Sequence, residues 1–197
     1  MNIYTAPANY RPHNKLLQGK TLLVTGAGDG IGRAAALCYA RYGATVILLG
    51  RTGSKLEAVY DEIEASGGPK PALVELDLAT ANEENCINLA SGLAGEFEHL
   101  DGLLHNAGVL GERRPIESAG YSAWQEVMQV NVNAQFLLTR HLLPLLRRRP
   151  APRLSSPHQV WAAPAGPTGA PTRYPNSPPR DFARCWPANW KTPLKFA

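Results

Sequence analysis

A five-residue apolar run, Thr21–Thr25 (TLLVT), leads directly into Gly26-Ala27-Gly28-Asp29-Gly30-Ile31-Gly32, and this junction constrains the chain more than any other feature. A tight turn after a strand needs backbone angles that only glycine accepts without cost. A helical pattern follows over residues 31–42, with Ile31, Ala35, Cys38, Tyr39 and Tyr42 on one face. Gly26, Gly30 and Gly32 are spaced G-x-x-x-G-x-G, which is not the dinucleotide fingerprint G-x-G-x-x-G. The physical requirement is nevertheless the same. Backbone at Gly26, Gly28, Asp29 and Gly30 must approach a pyrophosphate closely. The helix opening at Ile31 and Gly32 then offers unpaired N–H groups and a positive dipole end to it. A glycine-rich turn alone is weak evidence of a ligand; between a buried strand and a helix, at the start of a βαβ unit, it is strong.

Alternation continues for about 120 further residues. A second apolar strand is expected at 45–49 (TVILL), then helical spacing through Leu56, Val59, Tyr60 and Ile63. A third strand is expected at 72–78 (ALVELDL), a third helix through Cys86, Leu89, Ala90, Leu93 and Phe97, and a fourth strand at 100–105 (LDGLLH). A long helix covers most of 121–147, with Trp124, Met128, Val132 and Phe136 in register as its apolar stripe. Strands this continuously apolar, alternating with helices, imply an α/β fold with a parallel sheet covered on both faces.

The pattern stops near Arg147. Residues 148–197 hold eleven of the seventeen prolines and three of the four tryptophans, and no segment sustains a period of 2 or 3.6. Proline removes a backbone donor and fixes φ, so the expectation there is an irregular or disordered tail. The charge divides the same way: eight basic residues against one acid give the tail +7, and twelve against fifteen give the rest −3. The basic balance belongs to the tail and does not make the folded part a nucleic-acid binder. Cys38, Cys86 and Cys185 match no metal or disulfide spacing. No apolar run approaches the ~20 residues that span a bilayer, and residues 1–15 lack a signal-peptide core, so a cytoplasmic location without membrane contact is expected.

After the second strand comes Leu49-Gly50-Arg51-Thr52, with no acid beside it. An Asp or Glu at that place would hold a ribose 2′-hydroxyl and favour NAD; Arg51 can pair with the 2′-phosphate of NADP, so NADP is the expected cofactor and NAD the lesser candidate. Together TGAGDGIG, LGR, ELDL, His105-Asn106-Ala107-Gly108 and Val130-Asn131-Val132, in that order, resemble the short-chain dehydrogenase/reductase family over about residues 16–147. The resemblance implies a Rossmann-like doubly wound sheet of order 3-2-1-4-5-6-7, of which this chain retains strands 1–4. It places Asp77 and Leu78 at the adenine, and Asn106, Ala107 and Gly108 along the central cofactor channel. It makes Asn131 the one retained member of the catalytic set, at a helix kink and a relay water. It also implies a small carbonyl or alcohol substrate, hydride transfer and a homo-oligomer.

Hydride transfer to a carbonyl needs a matching proton transfer. The family performs it with a Tyr, a Lys four residues later and a Ser on the preceding strand. No Tyr in this chain has Lys at +4; after Asn131 only Tyr174 follows, with Pro178 four residues on. Ser155 and Ser156 have no strand pattern around them. Read in a shifted frame, residues 158–163 permit Ser-Ser-Val-Gly-Arg, and residues 169–176 permit Gly-Ala-Tyr-Ala-Val-Ser-Lys. A frame change near 147–152 accounts for both the lost relay and the Pro- and Arg-rich composition. The expectation is a nucleotide-binding unit over 1–147, an out-of-frame tail over 148–197 and no turnover. The alternative is a non-catalytic nucleotide-binding or scaffold protein whose Pro-rich tail recruits a partner.

Overall fold

The computed structural model of the protein describes residues 13–148 and the backbone of a short strand at 153–155. One sheet contains β1 (Thr21–Thr25), β2 (Thr45–Gly50), β3 (Ala72–Glu75), β4 (Gly102–Leu104) and β5 (Arg153–Ser155), in the order β3-β2-β1-β4-β5 with every neighbouring pair parallel. Helices α1 (Gly30–Arg41) and α2 (Gly53–Ala65) cover one face. There Ala36, Leu56, Val59 and Ile63 pack on Val24, Val46 and Leu48. The other face carries α3 (Glu83–Glu96) and α5 (Ala134–Arg147), and its core joins Leu23, Ile47, Leu49 and Leu103 to Leu93, Leu138 and Leu142; α4 (Tyr121–Met128) leads toward α5 and buries no residue of its own. Val46 through Leu49 are fully buried because both faces of β2 are covered, which is why this strand reads as an unbroken apolar run. The chain runs outward from β1 to β3 and returns to β4 on the other side of β1. Strand order therefore reverses at β1, and a crevice opens at the carboxyl ends of the strands there.

Four expectations are corrected. First, the sheet has one strand more than the four anticipated: β5 lies within the stretch read as irregular and pairs Gly102–Arg153, Leu103–Leu154 and Leu104–Ser155. Three residues suffice because β4 supplies the template, and so short a strand leaves no periodicity to read. Ser155 ends that strand; Ser156 and the rest of the stretch after 155 lie outside the described residues. Second, of the face expected for α1, Ala35, Cys38 and Tyr39 are buried, but Ile31 stands 39% exposed at its opening, and Ala36 and Ala40 complete the contact. Third, the apolar stripe of the long helix is on the opposite side from that expected. Trp124 and Phe136 are 54% and 62% exposed, whereas Val130, Ala134, Leu138, Leu142, Leu145 and Leu146 are buried. A π turn at Gln129–Asn133 separates α4 from α5. Both stripes run at a spacing of four but are offset by two residues, about 200° around a helix, and the leucine-rich one takes the core. β3 and β4 are also shorter than read. In place of further ladder, the Asn106 N–H turns back to the Leu104 carbonyl at 3.1 Å and ends β4. Among the described residues no helix is long and apolar enough to cross a membrane.

The buried stripe is directly testable. Leu138→Ala is expected to cost about 2–5 kcal/mol in urea unfolding, from lost burial and a residual cavity. Phe136→Ser should change stability by no more than about 0.5 kcal/mol, as for other exposed positions. The reverse ranking would show that the 124–136 stripe faces the core.

Candidate functional site

Thr25, the last residue of β1, is fully buried and organises the floor of the crevice. Its hydroxyl donates to the Leu104 carbonyl at 3.4 Å and accepts from the N–H groups of Asn106 and Ala107, both at 3.0 Å. Every hydrogen-bonding valence of that oxygen is thereby used, and the chain leaving β4 is tied to the chain leaving β1. Asn106 returns the tie: its side-chain amide donates to the Thr25 carbonyl at 3.2 Å and reaches the Gly26 carbonyl at 3.5 Å. Gly26 has φ +66°, in the left-handed region that favours glycine. Gly32 is required for a different reason. A Cβ there would lie 2.1 Å from the Gly26 carbonyl oxygen, so α1 can begin against the turn only without a side chain.

Over this floor lies a cleft of about 320 Å³. Gly26, Gly28 and Asp29 line it from the turn, Arg51 from the end of β2, Asp77 and Leu78 from beyond β3, and Asn106, Ala107 and Gly108 from beyond β4. Nine of the residues singled out in the sequence are thus brought together from four separate loops. Gly30, Ile31, Gly32 and Asn131 are not part of its lining. Gly30 and Gly32 shape the loop from behind. Asn131, in the π turn, braces one wall: its amide donates to the Val109 carbonyl at 2.8 Å and its oxygen accepts the Val109 N–H at 2.9 Å. Two residues away, Gln129 braces the other wall by donating to the Leu78 and Ala81 carbonyls at 3.3 and 2.8 Å.

The electrostatics are asymmetric. Arg51 is exposed and makes no ion pair or hydrogen bond with any described residue, so its guanidinium is available to an anion in the cleft. Asp29 caps α1 by accepting the Gly30 N–H at 2.8 Å, and its other oxygen meets the Lys55 ammonium at 2.6 Å. The bond from Lys55, aided by the one from Gly30, holds its carboxyl below the usual range. His105 is buried behind the cleft, with Nε2 2.8 Å from the Thr139 hydroxyl and Nδ1 without a partner among the described residues. Burial lowers its pKa to about 4 and keeps the ring neutral. The sequence did not single out Lys55, Gln129 or Thr25 as site residues. Thr25 sits in the recognised motif, and Lys55 falls one helical turn after Arg51. Nothing local marks Gln129, whose partners are about fifty residues away.

Residues 20–153 match the short chain dehydrogenase family model. Over 143 residues the chain is 52% identical to the uncharacterized oxidoreductase YciK of Escherichia coli (strain K12), an alignment covering 73% of this chain and 57% of that protein. Its fold is similar, with a TM-score of 0.72 at 50% identity, to that of a short chain dehydrogenase from Shigella flexneri 2a str. 301 complexed with NADP, over 73% of this chain and 60% of that one. A short chain dehydrogenase from Escherichia coli CFT073 complexed with NADPH gives the same TM-score at 51% identity, over 74% and 60%. The chain therefore spans less than two thirds of the length of these relatives.

The buried histidine gives the site an acid-sensitive support. Its folded pKa lies below its unfolded value, so protons bind the unfolded chain preferentially between the two. Stability is expected to be full above about pH 6.5 and to fall as pH drops toward about 4, by about 3 kcal/mol in all. His105→Asn should remove most of that slope. Urea midpoints for both chains across pH 4–7 test this, and parallel slopes would contradict it.

Proposed function

The chain belongs to the short-chain dehydrogenase family, and from that premise we propose that its cleft is the dinucleotide site of an NADP(H)-dependent oxidoreductase whose proton relay is missing from this 197-residue sequence. One observation carries the choice of cofactor. Arg51 stands exposed at the carboxyl end of β2, on the cleft, with no acid among Leu49, Gly50 and Thr52. A guanidinium there suits a 2′-phosphate and leaves a 2′-hydroxyl without its usual acceptor. Two relatives at 50% and 51% identity are complexes with NADP and NADPH, which supports the same choice.

The residues divide the work by position. The turn from Gly26 to Gly32 and the start of α1 receive the diphosphate, with Gly28 and Gly30 keeping the backbone accessible and Ile31 beside it. Asp77 and Leu78 border the adenine, and Asn106, Ala107 and Gly108 hold the middle of the dinucleotide. Asn131 acts through Val109, keeping that wall in place. A bound nicotinamide supplies or accepts the hydride against a small carbonyl or alcohol. Among the described residues, neither His105 nor Tyr121 is placed to act as its proton donor. His105 is neutral, buried and absent from the cleft lining. Tyr121 is 71% exposed and stacks on Trp124, away from that lining. The family match runs to residue 153, at the point beyond which a shifted reading frame permits the missing Ser, Tyr and Lys. A frame change near 147–152 is therefore part of the proposal.

The full chain is expected to bind NADPH in preference to NADH and to turn over no aldehyde or ketone. Arg51→Glu should weaken NADPH about 10- to 100-fold, the value of a charge-assisted contact, and spare NADH. The same assay on a chain expressed with the frame restored at 147–152 should show turnover. Turnover by the unaltered chain, or a preference for NADH, would overturn the reading.

A further inference from the structure

The cleft holds a second cation. Lys55 lies in the first turn of α2, four residues after Arg51, and both line the cleft. The two loops meet beneath it: a Cβ at Gly28 would lie 2.9 Å from the Lys55 Cβ, so the stem of Lys55 runs directly over the glycine turn. Its ammonium reaches across to Asp29 at 2.6 Å, and Asp29 in turn caps α1. One lysine thus bridges the two helices whose N-termini face the cleft. The bridge has little structural purpose. Its partners are 54% and 75% exposed, and an ion pair that wet adds little to stability.

The start of α2 has no cap of its own on the cleft side. Thr52 provides no side-chain hydrogen bond, and no acid occupies the first turn. The carboxylate of Glu75 lies against Gly53 on the β3 side, but it does not line the cleft. Arg51, Lys55 and the N–H groups of α2 therefore form a positive corner at the adenosine end. Opposing them on the cleft lining are Asp29, Asp77 and Glu126, and Asp29 is the one paired to Lys55.

We propose that Lys55 is the second residue that selects a 2′-phosphorylated dinucleotide, and that Asp29 holds its ammonium until the ligand's phosphate replaces the carboxylate. This rests on the reading of the cleft as an NADP(H) site. A phosphomonoester carries close to two negative charges and three acceptor oxygens, against one charge on Asp29, so the exchange favours the phosphate. A 2′-hydroxyl offers no such replacement, and with NAD(H) the lysine stays on Asp29. Asp29 is thus a competitor built into the site, and neutralising it should strengthen binding. Asn at that position caps α1 as well as Asp does, so the helix is spared.

Calorimetric titration of the full chain with NADPH and with NADH tests this. Lys55→Met should weaken NADPH about tenfold and NADH less than about threefold, the discounted value of an exposed charge-assisted contact. Lys55→Arg should retain most of the NADPH affinity, and Asp29→Asn should raise it. Thermal melts of each variant identify any loss of fold, and if Lys55→Met does not fold, Lys55→Arg and Asp29→Asn still decide the matter. Equal weakening of both dinucleotides by Lys55→Met would overturn the proposal, as would weaker NADPH binding by Asp29→Asn. Failure of the parent reading looks different: the unaltered chain would not distinguish NADPH from NADH at all.

Discussion

Everything at the cleft depends on the contact between the Gly26 carbonyl and the Cα of Gly32. A side chain at Gly32 would sit 2.1 Å from that oxygen, so α1 starts where it does because nothing projects from it there. This lets the turn fold back under the helix and keeps the Gly26 carbonyl within reach of Asn106. The fully used hydroxyl of Thr25 then fixes the chain leaving β4 against the same turn. Two loops eighty residues apart become one surface. On the proposed dinucleotide reading, a phosphate approaching α1 meets groups already in position, and little ordering cost remains to be met on binding.

The π turn at Gln129–Asn133 performs the corresponding task at the far walls. Gln129 grips the loop after β3, and two residues later Asn131 grips the loop after β4. An α-helix places residues two apart about 200° away from each other. The wider π turn departs from that spacing at the point where both side chains must reach the cleft walls. Such turns occur often at functional sites, and here the reason is geometric.

Much of this was legible in the sequence. The strand-turn-helix junction could be read because glycine and a buried strand have strong local requirements. Arg51 could be read because its place after β2 carries a defined chemical choice. The order of the first four strands followed from alternation and the family resemblance. What escaped reading depends on partners far away in the chain. β5 exists because β4 templates it, the core face of α5 is decided by the sheet and α3 residues it packs with, and Gln129 matters only because Leu78 and Ala81 come to it. Lys55 was hidden differently: a lysine in a first helical turn is ordinary, and only the closeness of Gly28 brings it over the cleft.

The central claim is that four loops form one dinucleotide-responsive surface in a chain lacking the relay for chemistry. Amide hydrogen exchange on the full chain, with and without saturating NADPH, tests it most directly, because exchange reports local opening segment by segment. The account predicts slowed exchange together at 26–32, 50–55, 77–79 and 106–109, with α3 (Glu83–Glu96) unchanged. Exchange unaltered at all four segments, or slowed only outside them, would contradict it.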